Sequence, residues 1–270
     1  MKIGVFDSGY GGLTILREIV KALPGYDYIY MGDNARAPYG SRSFDVVYQY
    51  TLQAVRYLFD AGCQLVILAC NTASAKALRT IQQRDLPDID PTRRVLGVII
   101  PTVECLDKIS RNNHIGVVAT QGTIDSHSYK IEAEKLHSNM TISELACPMW
   151  VPLIENNEID NPGAEFFIQK YCRMMLEMDP DIDTLVLGCT HYPLLYDKIA
   201  EFMPDNVRII AQGEIVARSL TDYLSRHPEI EKTISRGGTV RFLTSENPEK
   251  FNRLASLFLP IEVNAERISL

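Results

Sequence analysis

The chain lacks any long apolar run. No stretch of its 270 residues approaches the roughly 20 apolar residues that cross a bilayer. The opening Met-Lys-Ile-Gly-Val-Phe run breaks at Asp7, too early for a secretory signal. A soluble, cytoplasmic protein is therefore expected, with no membrane partner. Basic clusters are missing too: 27 Lys and Arg stand against 34 Asp and Glu, a formal charge of −7, which argues against a nucleic-acid partner. None of the six cysteines stands in a Cys-x-x-Cys pair, so neither a zinc knuckle nor a thioredoxin-type motif is expected. In a cytoplasmic setting disulfides are not expected either. The glycine-rich turn at Gly9, Gly11 and Gly12 lacks the lysine of a phosphate loop.

What is present is a regular alternation of strand and helix patterns. Short apolar runs open near Lys2, Tyr26, Leu65, Val95, His114, Met140, Thr184, Val207, Thr239 and Ile261, with helical spacing between most of them. This alternation predicts an α/β fold of parallel sheets built from right-handed βαβ units. The helix after Cys70 is expected to run to about Gln83, and 85–94 to be a polar surface connection. Phe167, Tyr171, Met174 and Met178 share one face of a helix and read as core. Ile3-Gly4-Val5 and Ile115-Gly116-Val117 each open one half of the chain, and a cysteine-bearing strand follows each at similar spacing. Two pseudo-symmetric lobes follow, each a mainly parallel sheet flanked by helices, with the site in the cleft between them. Residues 1–97 and 207–270 are assigned to the first lobe and 98–206 to the second.

The two cysteine strands carry the chemistry. Leu185-Val-Leu-Gly-Cys189-Thr190-His191-Tyr192-Pro193 ends an apolar run on a thiol, and Leu65-Val-Ile-Leu-Ala-Cys70-Asn71-Thr72-Ala73-Ser74 does the same. Ligands on parallel sheets bind beyond the carboxyl ends of the strands, so each thiol is placed at a cleft. A helix N-terminus lowers a thiol's pKa, and both cysteines precede helical patterns; two buried strand-end thiols are the plainer alternative. Asp7 ends the first strand and either serves Cys70 or caps the turn at Gly9 or Tyr10. His191 suits a proton shuttle or a structural role. Glu155 is either its partner or a surface carboxylate. Ser8, Asn71, Thr72, Thr120, Thr123 and Thr190 are short polar residues at strand-to-helix turns, where they act as caps or converge on a carboxylate. Pro38-Tyr39-Gly40 adds a phenol and a backbone N–H.

Taken together, Phe6-Asp7-Ser8-Gly9 with Gly11-Gly12, Pro38-Tyr39-Gly40, Ala69-Cys70-Asn71-Thr72-Ala73-Ser74 and Gly188-Cys189-Thr190-His191-Tyr192-Pro193 resemble the cofactor-independent aspartate/glutamate racemases, and among them the bacterial glutamate racemases. Thr120, Thr123 and Cys147-Pro148 fit as well, so the resemblance spans nearly the whole chain. It implies interconversion of L- and D-glutamate without cofactor or metal, by two thiols on opposite faces of the α-carbon. Cys70 would act on the D-isomer with Asp7 assisting, and Cys189 on the L-isomer with His191 and Glu155. Ser8, Tyr39 and Gly40 would hold the side-chain carboxylate, with Pro38 also in the substrate site. Asn71, Thr72, Thr120, Thr123 and Thr190, with Asp7 and His191, would complete the substrate site. The resemblance further implies D-glutamate supply for peptidoglycan and a homodimer. One departure is Ala211-Gln212-Gly213, where these proteins usually carry an acidic or seryl residue; it is expected to lie away from the thiols. A racemase of aspartate or another acidic amino acid is the same-class alternative, and a non-catalytic binding or regulatory protein on this scaffold the different-class one.

Overall fold

The computed structural model describes all 270 residues. Ten strands alternate with helices: β1 (Lys2–Asp7), β2 (Tyr28–Gly32), β3 (Cys63–Leu68), β4 (Arg94–Gly97), β5 (His114–Ala119), β6 (Thr141–Ala146), β7 (Thr184–Gly188), β8 (Arg208–Ile210), β9 (Val240–Thr244) and β10 (Ala265–Arg267). They form a six-stranded sheet in the order β10-β9-β2-β1-β3-β4 and a four-stranded sheet in the order β6-β5-β7-β8. Every pairing is parallel. β1 to β4 and β5 to β8 hold the same places in their sheets, so β3 and β7, which lead into the two cysteines, are equivalent strands. β9 and β10 extend only the first sheet.

Burial on both faces explains the near-continuous apolar runs. Along β1 and β3, Ile3, Val5, Leu65 and Ile67 join one apolar cluster, while Phe6, Val66 and Leu68 join another on the opposite face, as the strand period of two requires. Register pairs Ile3 with Leu65 and Val5 with Ile67. On one face, α1 (Leu13–Ala22) packs against the helix Gly213–Arg226. On the other, α2 (Phe44–Asp60) contributes Val47, Val55 and Leu58.

Three expectations are corrected. The stretch after α3 (Asn71–Lys76) does not become a surface connection at residue 85: a π-turn spans Ile81–Asp85 and a further helical turn Leu86–Ile89. Pro87 has no N–H to give, and the widened turn ahead of it lets the coil continue. The chain crosses from the first sheet to the second after Gly97 and returns only after Ile210, because β8 pairs with β7. The return placed at 207 is too early by the length of that strand. The last strand is Ala265–Arg267 rather than one opening at Ile261.

Candidate active site

Cys70 directly follows β3 and Ala69, at the N-cap of α3. Cys189 directly follows β7. Each is only 6% exposed, and Asp7, the last residue of β1, is fully buried between the two segments. All three stand at carboxyl ends of parallel strands, where such sheets place their ligands.

The two thiols have different surroundings. The Cys70 Sγ lies 3.5 Å from the Ser8 hydroxyl. Burial, reinforced by the Asp7 charge, pushes this thiol up to about 12. The lowering expected from a helix N-terminus is overturned here: α3 has six residues, and loss of water around a thiolate outweighs its dipole. The Cys189 Sγ instead lies 3.9 Å from His191 Nδ1, and His191 Nε2 meets Glu155 Oε1 at 2.9 Å. Burial alone would depress the imidazole, but its hydrogen bonds with Cys189 and Glu155 prevail and raise it to about 10. Cys189 opens no α-helix; a turn and a 3₁₀ segment, Tyr192–Leu195, follow it.

Asp7 does not hydrogen-bond either sulfur. Its Oδ2 accepts from Gly9 N at 2.9 Å and its Oδ1 from the Thr190 hydroxyl at 3.3 Å. The turn-capping role and proximity to both thiol segments are therefore realised together. Burial raises its carboxyl, against the lowering influence of His191.

Three threonines meet across the cleft. The Thr72 hydroxyl, from the first lobe, lies 2.9 Å from that of Thr120 and 3.3 Å from that of Thr123, both from the second. Gly40 sits against this cluster: a Cβ there would stand 2.8 Å from the Thr120 Cβ, and its carbonyl accepts from Gly122 N at 2.7 Å. The loop 33–42, which includes Pro38, is thereby pressed onto the second lobe. The phenol of Tyr39, expected to be open to a ligand, is instead committed within the protein. It donates to Asp33, whose carboxylate also accepts from Arg36 Nε at 2.6 Å and Ser245 Oγ at 2.7 Å. Asp33 and Ser245 were missed as a pair because 212 residues separate them.

The expected distance of Gln212 from the site is also overturned. Gln212 is 2% exposed, and its Oε1 accepts from Asn71 Nδ2 at 2.7 Å, one residue from Cys70. The only sequence signal was a polar residue at the end of an apolar strand.

The glycine turn serves packing more than anion binding. A Cβ on Gly11 would stand 2.3 Å from Thr190 Oγ1 and 2.4 Å from His191 Nδ1. Only a residue without a side chain lets the β1 turn lie against the Cys189 segment.

Elsewhere, His114, Asp179 and Asp181 bring ligand-type atoms within 4.8 Å of one another. The Asp179 carboxylate is already engaged by His114 Nδ1, Ser143 Oγ and Asp181 N, an ordinary turn-stabilising set.

The raised imidazole has a measurable consequence. A His held at about 10 rather than 6.5 stabilises the fold fully below pH 6.5, and that contribution fades as pH rises to about 10. Glu155→Gln removes one cause of the shift. The melting temperature should therefore fall most near pH 6, with the gap to the parent narrowing toward pH 10. A gap that is constant or widens over that range would show that Glu155 does not hold the imidazolium.

Comparison with known proteins places this geometry. The family model described as Asp/Glu/Hydantoin racemase matches residues 3–220. A glutamate racemase of Roseobacter denitrificans is 38% identical over 269 residues, covering 96% of this chain and 97% of that protein. Among solved structures, a glutamate racemase isoform from Bacillus anthracis superposes with a TM-score of 0.90 at 31% identity, covering 100% of this chain and 97% of the other. A Francisella tularensis glutamate racemase crystallised with D-glutamate gives 0.87 at 32% identity, covering 99% and 97%. No helix is long and apolar enough to cross a membrane.

Proposed function

The chain belongs to the Asp/Glu/Hydantoin racemase family, and from that premise, with racemisation of an amino acid as its reaction, we propose that it interconverts L- and D-glutamate through Cys70 and Cys189. The observation that carries the reading is the pair of buried thiols after equivalent strands of the two sheets, each with its own hydrogen-bonding partner. In the L-to-D direction the Cys189 thiolate takes the α-proton. The electron pair left on the α-carbon delocalises into the α-carboxylate, and the Cys70 thiol delivers its proton to the opposite face. Cys189 ends as thiol and Cys70 as thiolate, so protons balance and no oxidant or reductant is consumed.

The electrostatics support this division. A thiol pushed up to about 12 is an acid that keeps its proton until the carbanion forms. A sulfur beside a raised imidazole has a cation to stabilise its thiolate. The α-proton is far less acidic than a thiol, so donors on the α-carboxylate must carry much of the stabilisation. In this reading Asn71 and Thr72 supply them beside Thr190, whose hydroxyl proton is committed to Asp7. Ser8 and the backbone of Tyr39 and Gly40, with Thr120 and Thr123, border the end for the second carboxylate.

We assign the protein to the cytoplasm, to D-glutamate supply for peptidoglycan, and to a homodimer. The direct test is isotopic. In deuterated water without added cofactor, L-glutamate should yield D-glutamate carrying one deuterium at the α-carbon. Unlabelled, unchanged L-glutamate would overturn the racemase reading of the site. Aspartate, shorter by one methylene, should turn over with a kcat/KM lower by about ten- to two-hundredfold, followed by circular dichroism.

A further inference from the structure

We infer that Gln212 is a positioning residue that holds the Asn71 carboxamide as a hydrogen-bond donor toward the substrate, by relaying the polarity of a backbone carbonyl at the crossing between the lobes. The inference rests on the proposed reading that Asn71 contacts a carboxylate of glutamate.

The relay starts from a group whose role is not adjustable. The carbonyl of Val98 only accepts. It takes the Thr102 hydroxyl proton at 2.7 Å, which leaves that oxygen as an acceptor for Gln212 Nε2 at 2.8 Å. The same Nε2 reaches the Val98 carbonyl itself at 3.4 Å. The amide nitrogen of Gln212 must therefore face Val98 and Thr102, and its oxygen must face the other way. There it accepts from Asn71 Nδ2 at 2.7 Å. The ring closes through Tyr129, whose hydroxyl accepts from Gln212 Nε2 at 2.9 Å and donates to Asn71 Oδ1 at 2.8 Å. Both ends of the Asn71 amide are thereby specified, since reversing it would set oxygen against oxygen and nitrogen against a committed hydroxyl donor. Tyr129 and Thr102 are 0% exposed, and Asn71 and Gln212 3% and 2%, so water cannot substitute for a lost member.

One Asn71 N–H is consumed by Gln212 and the Oδ1 by Tyr129. The second N–H is the donor left for a ligand, which suits Asn71 to a carboxylate. The placement of Gln212 adds a second consequence. Val98 and Gln212 lie on the two segments where the chain passes between sheets, after Gly97 and after Ile210. Asn71 belongs to the first lobe and Tyr129 to the second. The donor next to Cys70 is thus oriented only when both crossings and the second lobe are in register.

The experiment is a double-mutant cycle on glutamate binding, read as a dissociation constant by calorimetry with DL-glutamate, so that turnover adds no net heat. Gln212→Met fills a similar volume without the amide. It should weaken binding about tenfold, the order expected for a lost hydrogen bond to a charged group, and by less than about twofold in an Asn71→Ala background. Equal weakening in both backgrounds, or none with Asn71 present, would overturn the relay. Should Gln212→Met not fold, Tyr129→Phe removes only a hydroxyl from the same ring and is held to the same comparison. Failure of the parent protein to bind glutamate would instead overturn the substrate reading beneath the relay. Parent binding with no coupling between Gln212 and Asn71 overturns the relay alone.

Discussion

Cys70→Ala and Cys189→Ala are each expected to lower kcat/KM for glutamate racemisation by about a thousandfold or more, equivalent to some 4 kcal/mol of transition-state stabilisation. The cause is stereochemical. A carbanion reprotonated from the face that lost the proton regenerates the starting isomer, so one thiol alone cannot invert the centre. Neither Ser8 beside Cys70 nor His191 beside Cys189 substitutes for the missing sulfur, because an unactivated serine hydroxyl is a weak acid and base and the raised imidazole already holds its proton. Cys172→Ala provides the contrast. That cysteine is 2% exposed within the helix Pro162–Met178 and belongs to the main apolar cluster. Its truncation should cost about 1 kcal/mol of stability and leave kcat/KM within a few-fold. Chiral chromatography of the product and thermal melts of all three variants make the measurement. Substantial racemisation by either Cys70→Ala or Cys189→Ala would sink the two-base mechanism.

Gly11→Ala should be nearly as damaging although it touches no reacting atom. The added carbon would stand 2.3 Å from Thr190 Oγ1 and 2.4 Å from His191 Nδ1, far inside van der Waals contact. Overpacking of this kind costs about 1–3 kcal/mol, and a displacement near 1 Å at a catalytic group costs about a hundredfold in rate. A loss of about a hundredfold in kcat/KM is therefore expected, with a lowered melting temperature. Gly9→Ala, two residues away, meets its nearest neighbours at 3.6 and 3.7 Å, ordinary contact distances. It should change kcat/KM by less than about tenfold. Equal tolerance at both positions, measured side by side, would refute the close-approach account of the turn.

The alternation of apolar runs and helical spacing was enough to read parallel sheets, because a strand buried on both faces must be apolar throughout. The repeat was legible for the same reason: β1 and β5 carry similar residues because they occupy equivalent central positions. The boundary at 207 failed because the repeat was weakest there. β8 has only three residues, Arg208–Ile210, too few for a period to distinguish the sheet that receives them. The coil through Ile89 escaped notice because Pro87 signals an ending, and a π-turn is a tertiary accommodation that no local preference announces.

For the site, the sequence by itself determined which atoms are available: two thiols at strand ends, an imidazole two residues beyond one of them, and an aspartate at the end of the first strand. Those follow from local order along the chain, since a residue after a buried parallel strand emerges at the carboxyl edge of its sheet wherever that sheet lies. Only the tertiary structure decided what state and orientation those groups adopt. It surrounded Cys70 with buried space and Asp7, and raised His191 between Cys189 and Glu155. It committed the Tyr39 phenol to Asp33 and Asp7 to Gly9 and Thr190. It also joined Gln212 to Asn71 across 141 positions. The physical reason is that desolvation and hydrogen-bond direction depend on neighbours brought together by folding, and a distance along the chain carries neither.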